Sequence, residues 1–285
     1  MKDYIELTKP RITWLILMST GIGFYFGLGD LHAVPWLVLV HAIIGTGLIA
    51  SGTAALNQWY EREADAKMRR TMARPIPSGR VTSGRALAFG IFLSIAGFAE
   101  LWLGANRLTA LLGAFTLMSY LFLYTPLKQK SKHSTTVGAI PGAMPPLIGF
   151  AAAAGTLTAD AWVLYAILFF WQFPHFYAIA WMYRDDYARA GIRMLPVVEP
   201  DGESTARQIL IYALLLIPVS VAPKVLGMAG NIYLVGALAL GAMFLYSGVR
   251  VSLDRTALRA RRVLLASVVY LPLLYGLLLL DRPRL

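Results

Sequence analysis

A chain of 285 residues that is 58% hydrophobic and only 14% charged, with a mean hydropathy of +0.61, is too apolar for a water-soluble globular domain and reads as a polytopic membrane protein. Its formal net charge of +11 does not point to nucleic acid, because excess Lys and Arg in a membrane protein first serve the loops on one side of the bilayer and no polar segment here is built to read bases. Cysteine is absent, so disulfides, thiolate metal sites and thiol nucleophiles are excluded, and chemistry falls to carboxylates, cations, His, Tyr or a bound metal.

The N-terminal segment Met1 to Arg11 carries Asp3 and Glu6, unlike an acid-poor transit peptide, and no small-residue cleavage site follows the first apolar run. The expected home is the plasma membrane of a prokaryote. Apolar runs near the bilayer-spanning length of about 17 to 25 residues predict nine helices. These are Ile12 to Gly29, Val34 to Gln58, Ala86 to Gly104, Leu108 to Leu127, Val137 to Leu157, Trp162 to Tyr183, Ile209 to Leu226, Ile232 to Val249 and Val263 to Leu280. The seventh is interrupted by Pro218, Pro223 and Lys224. All of the 26 Lys and Arg except Arg107, Lys224, Arg282 and Arg284 fall in alternate connecting segments, which predicts a cytoplasmic N-terminus and an external C-terminus. The expected organisation is one transmembrane domain over residues 1–285.

The second predicted helix ends in an abruptly acidic stretch, Asn57 to Asp65. On a helix, Asn57, Glu61 and Asp65 are spaced i, i+4, i+8 and share one face over roughly 12 Å. Oxygen donors so placed suit Mg²⁺, which is held by one or two carboxylates, waters and substrate phosphates. Lys67, Arg69, Arg70, Arg74 and Arg80 follow, so acids for a metal precede cations for phosphate, the pattern of a diphosphate site. The competing reading is a solvated helix end obeying the charge bias.

The loop after the fourth helix offers Tyr124 and Lys128 as phosphate contacts, or as plain topology signals. In the fifth helix, Pro141, Gly142, Pro145, Pro146 and Gly149 mark close packing or a kink, or make room for a bulky flat ligand. At the end of the sixth, Asp185, Asp186, Arg189 and Arg193 echo the first cluster, so two helix ends could close on one substrate, a weak parallel repeat.

The four histidines separate by depth. His32 lies in an outer loop, His41 near the opposite surface where packing is its expected job, and His133 at a loop edge. His175 sits roughly 15 Å along the helix from Asp185, near mid-membrane, where ionisable groups usually face a cavity or a partner. An inter-helix hydrogen bond is the alternative there.

Together these motifs resemble the protohaem IX farnesyltransferase family of the UbiA-type intramembrane prenyltransferases, nearly end to end. The resemblance rests on Thr8-Lys9-Pro10-Arg11, on Asn57-x3-Glu61-x3-Asp65 leading to Met68-Arg69-Arg70-Thr71-x2-Arg74-Pro75, and on Tyr124-Thr125 with Lys128. It extends through Gly138-x2-Pro141-Gly142 to Gly149, Trp171-Gln172-x-Pro174-His175-Phe176 and Asp185-Asp186-Tyr187-x-Arg189-Ala190-Gly191-x2-Met194-Leu195-Pro196. It implies an all-α polytopic membrane protein with nine transmembrane helices around a central cavity open to lipid, with Mg²⁺ as cofactor and farnesyl diphosphate and haem b as substrates. Haem A synthase or oxidase assembly factors are the implied protein partners. Asn57, Glu61, Asp65, Arg70, Arg74, Lys128, Asp185, Asp186 and Arg189 take the implied catalytic roles. Metal ligands are expected at Asn57, Glu61, Asp65 and Asp185, and contacts to the bound substrates at Tyr124, His133 and His175.

Two positions depart from the superfamily pattern. Glu61 stands where many relatives carry Asp, and the second motif is not Asp-x3-Asp, since Asp185 meets Arg189 and Asp186 meets Ala190. That places a second metal in question and offers Arg189 as a direct partner of the diphosphate. The rivals are a prenyltransferase acting on a quinone precursor, a secondary transporter and a structural oxidase subunit. Mid-membrane His175 favours haem, and acids gathered at one surface disfavour transport.

Overall fold

The computed structural model describes residues 1–29 and 33–283, so His32 and Arg284 lie outside the described residues. Among these residues there is no strand, and nine helical rods carry the fold. They are α1 (Pro10–Gly27), α2 (Trp36–Tyr60), α3 (Ser83–Gly104), α4 (Arg107–Leu127), α5 (Ser134–Ala154), α6 (Ala159–Met182), α7 (Glu203–Val225), α8 (Asn231–Leu253) and α9 (Ala257–Leu280). Eight of them, α2 to α9, are long and apolar enough to cross a membrane. The ninth, α1, is 18 residues long and opens with Pro10-Arg11. A bundle of such helices satisfies its backbone internally, as lipid requires. Its flanks carry Trp36, Leu37, Phe92, Leu103, Ile232 and Leu280 fully out, a surface that only lipid accommodates. The protein is an integral membrane protein.

Proline acts differently in two rods. The predicted fifth helix is two pieces, Ser134–Gly142 and Pro145–Ala154, because Pro145 and Pro146 remove two successive N–H donors. The seventh, interrupted by Pro218 and Pro223, runs unbroken and starts earlier than predicted, at Glu203. It packs on α6 and α8, and Tyr233 of α8 donates its hydroxyl to the Ser220 carbonyl at 2.7 Å. That bond ties α8 to α7 within the proline-containing half of the rod.

Small residues let the rods touch. A Cβ added to Gly149 of α5 would lie 1.8 Å from the Thr20 carbonyl of α1, so these two backbones are in direct contact. On the α2–α3 seam a Cβ at Gly97 would lie 2.7 Å from the Ile49 nitrogen. Packing of this kind replaces the hydrophobic drive that lipid cannot supply. Helices α1 to α5 pack mainly on one another, α6 to α9 likewise, and α5 and α1 meet α6. Arg282, beyond α9, donates to the Tyr25 and Leu28 carbonyls at the far end of α1, closing the ring of helices there. At the other end the start of α1 and the ends of α2, α4 and α6 converge, bringing the acidic and basic motifs together.

Candidate active site

Helix α2 ends at Tyr60, and Glu61 (φ −87°, ψ 7°) links it to a short helix, Arg62–Lys67. The helical hydrogen bonding passes through that junction: Glu61 N–H reaches the Asn57 carbonyl at 2.9 Å, and Asp65 N–H the Glu61 carbonyl at 2.8 Å. The i, i+4, i+8 stripe therefore survives the helix end. Asn57, Glu61 and Asp65 are 1%, 7% and 1% exposed, which rules out the solvated-end reading.

Each of these side chains meets a cation from elsewhere in the chain. Lys9 Nζ donates to Asn57 Oδ1 at 3.1 Å, Lys128 Nζ to Glu61 Oε1 at 2.8 Å, and Arg74 to Asp65 Oδ2 at 2.7 Å. Asn57 Nδ2 donates to Glu61 Oε2 at 3.0 Å and so holds the stripe together. Burial alone would push the Glu61 carboxyl up, but the Lys128 charge and hydrogen bond, with help from Lys9 and Asn57, hold it below the usual carboxylate range. Burial likewise opposes the charge on Lys128, and Glu61 more than compensates, raising it well above an ordinary lysine. Lys9 is the reverse: burial, then repulsion from Arg74, brings it down to about 7. Asp65 Oδ1 is buried with no hydrogen-bond partner among the described residues. An orphaned carboxylate oxygen on the same helix face as a second carboxylate and an amide oxygen suits a hard cation such as Mg²⁺. No three His, Asp or Glu side chains meet among the described residues, so such an ion would draw its other ligands from water and phosphate.

In the sequence Lys9 stands out only within Thr8-Lys9-Pro10-Arg11; its place at Asn57 comes from the structure. Its backbone is left-handed (φ 48°, ψ 61°), the one non-glycine so placed among the described residues. Pro10 disfavours the right-handed helical region for the residue before it, and the left-handed turn between helix Lys2–Leu7 and α1 aims Lys9 at Asn57. A conformation costing about 1–2 kcal/mol for an L-residue persists only where its surroundings enforce it. The Lys-Pro pair was the available signal.

Tyr124 and Lys128 arrive through a π-helical turn, Ser119–Tyr124, in α4. Pro126 cannot donate to the chain one turn back, and the ladder widens, with Thr125 Oγ1 bonding the Tyr120 carbonyl at 2.8 Å. Tyr124 then lies against Gly138, where a Cβ would come within 2.5 Å of its ring, and the Lys128 ammonium sits 4.6 Å from that ring's centre.

The second cluster faces the first through Arg70. Its N–H contacts Asp186 Oδ2 at 3.4 Å, while its guanidinium lies 4.8 Å from the Tyr183 ring and 3.2 Å from the Tyr187 hydroxyl. Asp186 is 8% exposed and paired with Arg189. Asp185 points away, its side chain 88% exposed with only Arg184 near it. The structure brings together Asn57, Glu61, Asp65, Arg74, Lys128 and Lys9, with Tyr124, Arg70, Asp186 and Arg189 around them. Asp185 and exposed His133 stand apart from this group. His175 lies deep in α6, its Nδ1 bonded to Ser267 Oγ of α9 at 2.7 Å.

Residues 16–273 match the sequence model of the UbiA prenyltransferase family. The chain is 72% identical over 292 residues to the protohaem IX farnesyltransferase of Solibacter usitatus (strain Ellin6076), with 100% of both chains covered. It is 50% identical to that of Koribacter versatilis (strain Ellin345), over 99% of this chain and 94% of the relative. Among solved structures, one reported for digeranylgeranylglyceryl phosphate synthase aligns with a TM-score of 0.81 at 16% identity, covering 98% of this chain and 97% of the other. A UbiA homologue from Archaeoglobus fulgidus, bound to GPP and Mg²⁺, aligns at 0.65 and 15% identity over 97% and 99%. At those identities the structural likeness speaks for the fold alone.

Proposed function

The chain belongs to the UbiA prenyltransferase family, and from that membership we propose that it transfers the farnesyl group of farnesyl diphosphate to a vinyl group of haem b, with addition of water, giving haem O and diphosphate. The observation that carries this reading is the buried Asp65, with one oxygen on Arg74 and the other unpartnered, among Lys9 and Lys128 at the mouth of an apolar bundle. Such a site suits an anion whose charge grows during reaction, attached to a tail that belongs in lipid.

Asn57, Glu61 and Asp65 would hold Mg²⁺, which when bound supplies positive charge to the departing diphosphate. Lys9, Arg74 and Lys128, now paired with the stripe, are the cations at hand for the diphosphate oxygens, and Arg70 and Arg189 approach from the second cluster. As the allylic C–O bond breaks, its electron pair leaves on the diphosphate, and fixed cations in a site of low dielectric stabilise that charge. The vinyl π electrons then form the new C–C bond to the farnesyl carbon. Water adds to the resulting cation beside the porphyrin and loses a proton, leaving a hydroxyethylfarnesyl group. Apolar walls limit how much water competes for the farnesyl cation. His175 is the porphyrin contact in this scheme, with Asp185 and His133 outside it. The site lies at the end where Lys and Arg concentrate, which supports a cytoplasmic N-terminus, an external C-terminus and the plasma membrane of a prokaryote.

The test is chromatography of haems extracted from membranes of a host lacking haem O, with and without this chain. A new, more hydrophobic haem peak is expected. Unchanged haems alongside a prenylated quinone precursor would overturn the acceptor.

A further inference from the structure

Helix α6 turns about 100° per residue. Trp171 reaches α9, its Nε1 donating to the Ser267 carbonyl at 2.9 Å, and Gln172 reaches α5, its Nε2 donating to the Ala139 carbonyl at 3.2 Å. His175, about 40° round from Trp171, falls between those two directions, on the face of α6 that lies between α9 and α5. Its ring stacks on Trp171 (centroids 4.8 Å apart, planes at 24°) and meets Phe176 edge-on, so its plane is held on two sides.

The hydrogen bond to Ser267 decides where the imidazole proton lies. Ser267 Oγ also sits 2.6 Å from the Leu264 carbonyl, a separation at which two oxygens repel unless a proton lies between them. A serine hydroxyl has one proton, and that contact uses it. Toward His175, Ser267 is therefore the acceptor, and Nδ1 carries the N–H of a neutral ring. Nε2 is left with an in-plane lone pair and no hydrogen-bond partner among the described residues, on a half-buried side chain between α9 and α5. An imidazole donating through one nitrogen, with the other bare, is the arrangement that prepares histidine to bind a metal.

We propose that Ser267 is a positioning residue that locks His175 in the Nδ1–H form so that Nε2 ligates the iron of the haem substrate. This rests on the haem-farnesylating reading above and adds to it the ligating atom and the residue that sets it. Held by its iron in the half of the membrane below the diphosphate site, the porphyrin has one fixed point from which its vinyl group is presented. Misplacement of about 1 Å at the reacting atoms can cost about 100-fold.

The direct test uses wild-type protein labelled with ¹⁵N-histidine, the His175 signal being identified by its loss in His175→Gln. A pyrrole-type Nδ1 and a pyridine-type Nε2 are expected; the opposite tautomer overturns the proposal. Titration with ferric haem b then reads absorption and electron paramagnetic resonance. Ser267→Ala should weaken haem binding about 10- to 100-fold and alter the histidine-ligation signature. Farnesyl diphosphate affinity should hold, and Ser267→Thr, whose hydroxyl can bond the same carbonyl, should restore the signature. Wild-type haem affinity and signature in Ser267→Ala would overturn the role of Ser267. An unchanged histidine signature in His175→Ala would overturn iron ligation by His175 while leaving haem as the acceptor. Failure of wild-type protein to form haem O would instead remove the functional reading. Should Ser267→Ala lose both ligands, the fold is damaged and the tautomer measured in wild type decides.

Discussion

Asp65→Asn separates chemistry from folding most cleanly. The replacement is isosteric, and its side-chain oxygen can still accept from Arg74 in place of the 2.7 Å ion pair. What is lost in stability is the difference between a charge-assisted pair and a hydrogen bond with one charged partner, about 1–2 kcal/mol. Removing the burial penalty of a carboxylate that is 1% exposed offsets part of that. We expect a net change within about 1 kcal/mol, or a few degrees at most in Tm for a chain of this size. Catalysis loses one of two carboxylates together with the orphaned Oδ1, the oxygen best placed for a cation. Removing one group that stabilises transition-state charge costs about 10²–10³ in kcat, or about 3–4 kcal/mol. The assay is haem O formation by purified protein from haem b and farnesyl diphosphate, with thermal unfolding measured on the same sample. A kcat within threefold of wild type at unchanged Tm would remove Asp65 from the mechanism.

Chelation with EDTA should abolish turnover, and Mg²⁺ or Mn²⁺ should restore it, since carboxylate, water and phosphate oxygens select such ions; full activity in EDTA would leave the cations to act alone. Substitutions at the two neighbouring acids should differ: Asp186→Asn, buried beside Arg70 and Arg189, should lower activity at least tenfold, whereas exposed Asp185→Asn should stay within twofold. Equal losses would undo the assignment of their faces. His175→Ala should keep farnesyl diphosphate binding, measured by calorimetry, and lose haem binding; retention of both would make His175 a packing residue. Gly149→Ala places a methyl 1.8 Å from the Thr20 carbonyl and should destabilise by about 1–3 kcal/mol, whereas Gly21→Ala, which meets nothing within 4 Å, should leave Tm unchanged.

Features encoded within a few neighbouring residues were legible in the sequence. Apolar runs located the rods because crossing a bilayer sets their length, and the stripe of Asn57, Glu61 and Asp65 followed from helical spacing that the backbone carries through Glu61. Features that depend on a distant neighbour were not. Arg74 is nine residues from its partner Asp65, but the other two cations on the stripe come from 48 and 67 residues away, and Lys9 gets there through a backbone turn that no hydropathy pattern records. Proline carried the same sequence signal in α5 and α7, yet the adjacent pair broke the first, while the separated prolines of the second left it whole in its packing on α6 and α8. Asp185 and Asp186 are adjacent in sequence, but on a helix they point about 100° apart, and only the position of Arg70 decides which one is inside. Local spacing sets which side chains share a face; what that face meets depends on the packing of the other helices.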